Sequence, residues 1–227
     1  ADPTLRQKVE IVSKCGIVAP SQRYDVPVKH YNTSRAHIFG AVEQSLRDFG
    51  SDYLDLLLIH RPDPFMDPEE TGRALDDLVT EGKIRAAGVS NFQPWDLGLL
   101  QSAMAQPLVT NQIELSLAAL SAFTDGTLAE LQKRGLPAMA WSPLGGGSLM
   151  QAESPLTARM DALAAAARVD RAAIAIAFLL AHPARILPVM GTNSLDRIAT
   201  LGQALSVRLS REDWFDLYTL ASGKPVS

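Results

Sequence analysis

Six short apolar runs, each followed by a stretch of helix length, set the terms for this chain of 227 residues. They are "KVEIVSK" (8–14), "YLDLLLI" (53–59), "IRAAGVS" (84–90), "LVTNQIEL" (108–115), "LPAMAW" (136–141) and "ILPVMG" (186–191). Near-continuous apolar strands are buried on both faces, and long connections force them to pair in parallel. The connections carry helix signals. Ser34 can cap "RAHIFGAVEQSLRDF", Asp67 precedes Pro68 and two glutamates, Pro94 opens "WDLGLLQSAM", and Asp170 can cap "RAAIAIAFLLAH". Gly82 and Gly135 stand at helix ends. The longer run "AAAARVDRAAIAIAFLLA" reads as core helix.

Strand–helix alternation leaves an α/β fold of one of two kinds, a (β/α)8 TIM barrel or an open doubly wound sheet. A doubly wound dinucleotide fold wants a G-x-G-x-x-G turn after a strand, and the one glycine run, "LGGGSL", lacks that spacing. The barrel is preferred, with a shortfall: six strands are visible where a closed barrel has about eight. The expectation is a single barrel domain over 1–227, N-terminally incomplete, with strands three to eight represented and two β/α units upstream of residue 1.

Composition narrows the partners. A net charge of −4 without a basic block gives nucleic acid and anionic membranes little to bind. No apolar stretch has the length of a membrane span. A lone cysteine, Cys15, rules out an intrachain disulfide and fits a reducing compartment, so a cytoplasmic location is expected. Histidines 30, 37 and 182 show no metal-ligand spacing. Nothing fixes the oligomeric state.

The polar strand ends carry the chemistry. Side-chain alternation puts Leu54, Leu56, Leu58 and His60 on one side of their strand and Asp55 on the other. Glu10, Val12 and Lys14 share a face in the same way. Lys14 and His60 therefore both end strands, where a barrel places its site. The plain alternatives are a solvated lysine and a satisfied core histidine.

The words "VSKCG", "YLDLLLIHRPD", "GKIRAAGVSNF", "TNQIELS", "AWSPLGGG" and "PVMGTNSLDRI" occur in the order and rough spacing found in aldo-keto reductases. The chain resembles that family over nearly its whole length, closest to a bacterial branch whose motif reads "LLLIHRPDP". The resemblance implies an NADPH-dependent reductase of aldehydes or ketones. By motif match Lys14 is the lysine that lowers the pKa of the family's catalytic tyrosine, and His60 the histidine that orients the carbonyl. The tyrosine and its partner aspartate belong to a part of the family pattern that has no counterpart here. Tyr24 and Tyr31 lie in the connection after Lys14 and are weighed as stand-ins.

The resemblance also implies the cofactor contacts. Ser90, Asn91 and Gln112 match the residues that hold the nicotinamide carboxamide, though a strand-end Ser-Asn can equally cap a helix. Trp141 falls where an aromatic ring stacks on the nicotinamide. Ser142, Leu144 and Gly146 belong to the segment passing the pyrophosphate. Gly191, Thr192 and Asn193 approach the adenosine phosphate, and Arg197 matches the arginine on the 2′-phosphate, with a surface arginine near Asp196 as the alternative. A lysine common in the family is absent at Gly191, and its adenine-binding Glu-Asn pair reads Thr200 and Leu201. NADP(H) is favoured and NAD(H) is possible. A small-molecule carbonyl substrate is expected in a pocket walled by 17–33, Phe65, Met66 and 145–157. The second functional reading is an NADPH-binding, catalytically impaired protein with a regulatory or redox-sensing role.

Overall fold

A computed structural model describes residues 4–21 and 24–226. Gln22 and Arg23, within the expected pocket wall, lie outside the described residues. The chain forms two compact units, Ala1–Asn111 and Gln112–Ser227.

In the first unit the strands are β1 (Val12–Cys15), the hairpin pair β2 (Ile17–Val18) and β3 (His30–Tyr31), β4 (Leu56–Ile59), β5 (Ala87–Ser90) and the first half of β6 (Leu108–Glu114). They lie in the order β1, β4, β5, β6, with β2 and β3 in a separate antiparallel pair. The β1–β4 and β4–β5 pairings are parallel, with Lys14 beside Leu58 and Leu58 beside Gly88. Three helices cover this layer: α2 (Arg35–Phe49), α3 (Pro68–Thr80) and α4 (Pro94–Ser102). Ser34 and Asp67 cap as the sequence indicates, while the cap of α4 is Gln93, in a capping box with Asp96, rather than the Ser-Asn pair. Ile38, Val42, Leu75, Leu78, Leu97 and Leu100 face the core from these helices.

The first strand is shorter than the sequence suggests. Leu5–Lys8 forms a helical turn, α1, and pairing starts only at Val12, so Glu10 is not a strand residue. The cause is Arg6. Its guanidinium bonds Ser51 Oγ at 2.8 Å and the Tyr53 carbonyl at 2.9 Å, pairs with Asp55 at 2.8 Å, and lies 3.8 Å from the Tyr53 ring centroid. That anchor draws the segment out of the strand. Likewise β4 and β5 begin later than their apolar runs, and Leu54 and Ile84 meet only in an isolated bridge.

The second unit holds the rest of β6, then β7 (Ala138–Trp141) and β8 (Leu187–Val189), in that order, with β7 and β8 parallel. Around them lie α5 (Thr127–Arg134), α6 (Ser148–Gln151), α7 (Pro155–Ala167), α8 (Arg171–Leu180), α9 (Leu195–Thr200) and α10 (Arg211–Ser222). The run read as core helix divides at the cap that Asp170 offers. Arg168, at φ 58°, ends α7, and Asp170 caps α8 through the Ala173 N–H at 2.7 Å. Only α8 is apolar all round, with Ala173 to Leu179 buried. The α10 indole Trp214 stacks on Phe178 of α8 at 4.6 Å and bonds its carbonyl at 2.9 Å. Among the described residues no helix is long and apolar enough to cross a membrane, and no group of three or more His, Cys, Asp or Glu could hold a metal ion.

Gly88 leaves no room for a side chain between its flanking strands. A Cβ there would meet Leu58 Cδ2 at 2.7 Å on one side, and Thr110 Cγ2 at 2.9 Å and its carbonyl oxygen at 3.0 Å on the other. Both neighbours belong to flanking strands. Gly88→Ala is expected to destabilise by about 1–3 kcal/mol, as overpacking of a filled core does. A urea midpoint equal to that of the parent would contradict this packing.

Candidate active site

The strand ends of the first unit gather four of the residues singled out above. The β1–β4 register puts Lys14 opposite Leu58, so Lys14 and His60 share one face, two residues out of step. The His60 N–H donates to the Cys15 carbonyl at 2.8 Å, continuing the ladder past β4. Ser90 is the last residue of β5 and is buried. Asn91 follows in the left-handed region, at φ 60°, a conformation asparagine tolerates better than most residues. Its amide donates to Ser90 Oγ at 2.8 Å and to the His60 carbonyl at 3.4 Å, tying the ends of β4 and β5 together.

Burial and charge at this end loosen the hold of Lys14 and His60 on their protons. Burial lowers the pKa of the Lys14 ammonium, which has no hydrogen-bond or ion-pair partner among the described residues. Burial, and then the positive charges of Lys14, Arg61 and Lys29, lower the pKa of His60. Its imidazole makes no hydrogen bond among the described residues. The Cys15 thiol, fully buried next to Lys14 in sequence, is pushed up to about 12 and stays protonated. Tyr31 sits opposite Ile17 in the β2–β3 hairpin, and the Tyr24 ring lies 6.2 Å from His37.

The loop leaving β4 is held by a buried pair that the sequence did not single out. Thr33 Oγ1 donates to Asp63 Oδ2 at 2.9 Å, and Asp63 Oδ1 accepts from the Phe65 N–H at 2.8 Å. Thr71 of α3 donates to the Thr33 carbonyl at 2.8 Å. Phe65 itself, expected in the pocket wall, is 96% exposed. Asn111 was also passed over: its carboxamide bonds both backbone groups of Phe92. The signal was present in "TNQIE", but two adjacent amides cannot be told apart by type.

In the second unit Gln112 is buried on β6 and its amide lies 4.0 Å from Met139 Sδ on β7. Met139 and Trp141 alternate with the buried Ala138 and Ala140, so they share the less covered face of β7. Ser142, directly after Trp141, is at φ 51°. Leu144 leads into Gly145–Gly147, a single turn in which all three glycines have positive φ. The β7–β8 register places Trp141 beside Val189, two residues before Gly191. Gly191 has nothing within 4 Å of where a Cβ would stand, and Thr192 Oγ1 accepts from the Ser194 N–H at 3.2 Å. Asn193 is exposed. Arg197 is exposed on α9, capped by Ser194; its guanidinium has no partner among the described residues, so the pairing with Asp196 is not formed.

With this geometry in place, comparison with known proteins is decisive for lineage. The Aldo/keto reductase family model matches residues 1–220. The chain belongs to the aldo/keto reductase family. A 6-dehydroglucose reductase of Agrobacterium fabrum is 58% identical over 229 residues, covering 100% of this chain and 77% of that protein. A second 6-dehydroglucose reductase, from Novosphingobium aromaticivorans, is 39% identical over 231 residues, covering 99% and 72%. Among solved structures, an aldo/keto reductase of Klebsiella pneumoniae in complex with NADP and acetate aligns with a TM-score of 0.79 at 30% identity, covering 96% of this chain and 71% of that one. The β/α arrangement is thus that of aldo/keto reductases.

Two outcomes follow for this site. Thr33→Val leaves the buried Asp63 carboxylate one donor short and is expected to cost about 1–3 kcal/mol in a urea titration; an unchanged midpoint would contradict the latch. His60, with a folded pKa below 6.5, takes its proton later than the unfolded chain does. Its contribution to stability is therefore complete above pH 6.5 and is lost as pH falls through the folded value. Its ring resonances should titrate below 6.5, and His60→Gln should flatten the acid limb of the stability curve.

Proposed function

We propose that the protein is an NADPH-dependent reductase of aldehydes or ketones. The carrying observation is the pair of polar strand ends: a half-buried Lys14 ammonium, without a partner among the described residues, on the same face as a desolvated His60. Two such groups at adjacent strand ends cost stability and fit a site that handles an oxygen atom. The uncharged His60 imidazole presents one N–H to a carbonyl oxygen, and negative charge growing on that oxygen strengthens the bond. Lys14 supplies a nearby positive charge that makes a phenolic proton easier to release and to share.

The donor set fits a nicotinamide dinucleotide. Ser90, Asn91 and Gln112 offer the paired donors and acceptors a carboxamide needs, and Trp141 offers an aromatic face. Ser142, Leu144 and Gly146 supply backbone beside the left-handed glycine turn, a form that suits oxyanions. Gly191, Thr192 and Asn193 offer an open approach, and the uncommitted Arg197 fork suits a 2′-phosphate. When bound, NADPH would supply the hydride that reduces the carbonyl carbon.

The relatives named 6-dehydroglucose reductase make a sugar aldehyde the first substrate to try. Lys14 lacks an acidic partner among the described residues, and this supports two further parts of the proposal. One is a closed (β/α)8 barrel completed by an upstream segment of about 60–90 residues, two β/α units, bringing the tyrosine and aspartate. The other, should that segment be missing from the native protein, is NADPH binding without turnover.

Stopped NADPH-oxidation assays with 6-dehydroglucose and simple aldehydes test the reading. Lys14→Met and His60→Ala are expected to lower kcat by about 100-fold or more while NADPH binding changes little. Variants with parental turnover would overturn the assignment. Arg197→Ala is expected to weaken NADPH more than NADH, and equal weakening would remove the 2′-phosphate role. A parent that binds NADPH yet turns over no carbonyl would select the non-turnover alternative.

A further inference from the structure

We infer that Asn111 is the positioning residue of the Ser90–Asn91 turn, holding in place the groups that face the nicotinamide end of the cofactor. The inference rests on the reading of Ser90 and Asn91 as cofactor contacts. Strand β5 ends at Ser90, whereas its neighbour β6 runs on. The chain leaves the sheet at Asn91, in the left-handed region, and Phe92 follows with its side chain fully buried. Leaving a sheet in the interior orphans backbone groups, and buried N–H and C=O groups must find partners. Asn111, itself buried, is that partner: its Nδ2 donates to the Phe92 carbonyl at 2.7 Å, and its Oδ1 accepts from the Phe92 N–H at 3.4 Å.

One carboxamide thus does for Phe92 what a residue of a paired strand would have done. Without it the simplest way to satisfy Phe92 is to carry the strand one residue further, and that requires Asn91 to abandon φ 60° for the extended region. The consequence would be felt at the site. The Asn91 amide would lose its bonds to Ser90 Oγ and to the His60 carbonyl, the same bonds that fix the hydroxyl and the amide at the ends of β4 and β5. An amide suits the position, because Phe92 asks for a donor and an acceptor from one side chain. Aspartate accepts but cannot donate, and leucine fills the space with neither.

The test compares the parent with Asn111→Leu, Asn111→Asp, Ser90→Ala and the Ser90→Ala/Asn111→Leu double variant. Amide hydrogen exchange, measured without cofactor, is expected to speed at Phe92 by about tenfold or more in Asn111→Leu, the exposure of one protected N–H. Exchange in β4 should hold. NADPH titration should show a Kd weakened by about tenfold, the scale of one or two lost hydrogen bonds. In the Ser90→Ala background the same substitution should cost less, because it acts through the turn. Should the leucine variant fail to fold, Asn111→Asp is read in its place. Unchanged Phe92 exchange, or an equal loss of affinity in both backgrounds, overturns the positioning role. If Ser90→Ala binds NADPH like the parent, the cofactor reading of the turn has failed and the positioning role falls with it. If Ser90→Ala weakens NADPH while Asn111→Leu does not, only the role of Asn111 is wrong.

Discussion

The register between β1 and β4 is the constraint on which the first unit's site depends. Side chains alternate with period two, so a slip of one residue would turn Lys14 or His60 from its face to the helix side. The register is pinned at the opposite end of the strands by Asp55. Its Oδ2 accepts from the Ile11 N–H at 2.8 Å and pairs with Arg6, and its Oδ1 meets Arg85 at 3.1 Å. Burial alone would push this carboxyl up, but the Ile11 N–H, Arg6 and Arg85 together hold it below the ordinary carboxylate range. Arg6 and Arg85 also lie 3.8 and 4.1 Å from the centroid of the Tyr53 ring. One charged junction thus decides which side chains appear at the other strand ends.

Charge is distributed unequally between the two ends. The Asp55 junction is a network in which each ion has partners, so its desolvation is offset by hydrogen bonds and opposite charge. At the Lys14 end, Lys14, Arg61 and Lys29 all act on His60 with the same sign. Like-signed charges around a partly buried imidazole make its protonation costly. The strands are therefore tied by a charge network at their entry and left with the desolvated Lys14 and His60 at their exit.

Much of this was legible in the sequence because it is local. The alternation of apolar runs with capped helices set the β/α order, and Ser34, Asp67 and Asp170 cap where they stood. Polar residues ending apolar runs pointed to Lys14 and His60, and the family resemblance pointed to Ser90. The unread parts are those decided by partners far along the chain. The late start of β1 depends on Arg6 reaching residues 51 to 55, and the Thr33–Asp63 latch spans thirty positions. Nothing in "VEIV" records the first, and a threonine in "YNTSR" carries no mark of the second. The start of α8 was marked by Asp170, but the end of α7 was not: a non-glycine residue, Arg168, takes the left-handed position where a helix usually ends in glycine.

That last feature recurs where it matters most. Asn91 and Ser142 each stand immediately after a strand, at φ 60° and 51°, and neither is glycine. A non-glycine residue holds such a conformation only when its surroundings leave it no better choice. For Asn91 the surroundings are explicit, because its amide is bonded on two sides and the residue after it is locked to Asn111. For Ser142 the Gly145 N–H returns to its carbonyl at 2.8 Å and closes a tight turn ahead of the three glycines. Glycine would adopt both turns more easily but would bring no side chain. A hydroxyl and an amide kept at these corners therefore hold a polar group at each strand exit at the expense of backbone strain, strain that the surrounding hydrogen bonds must offset.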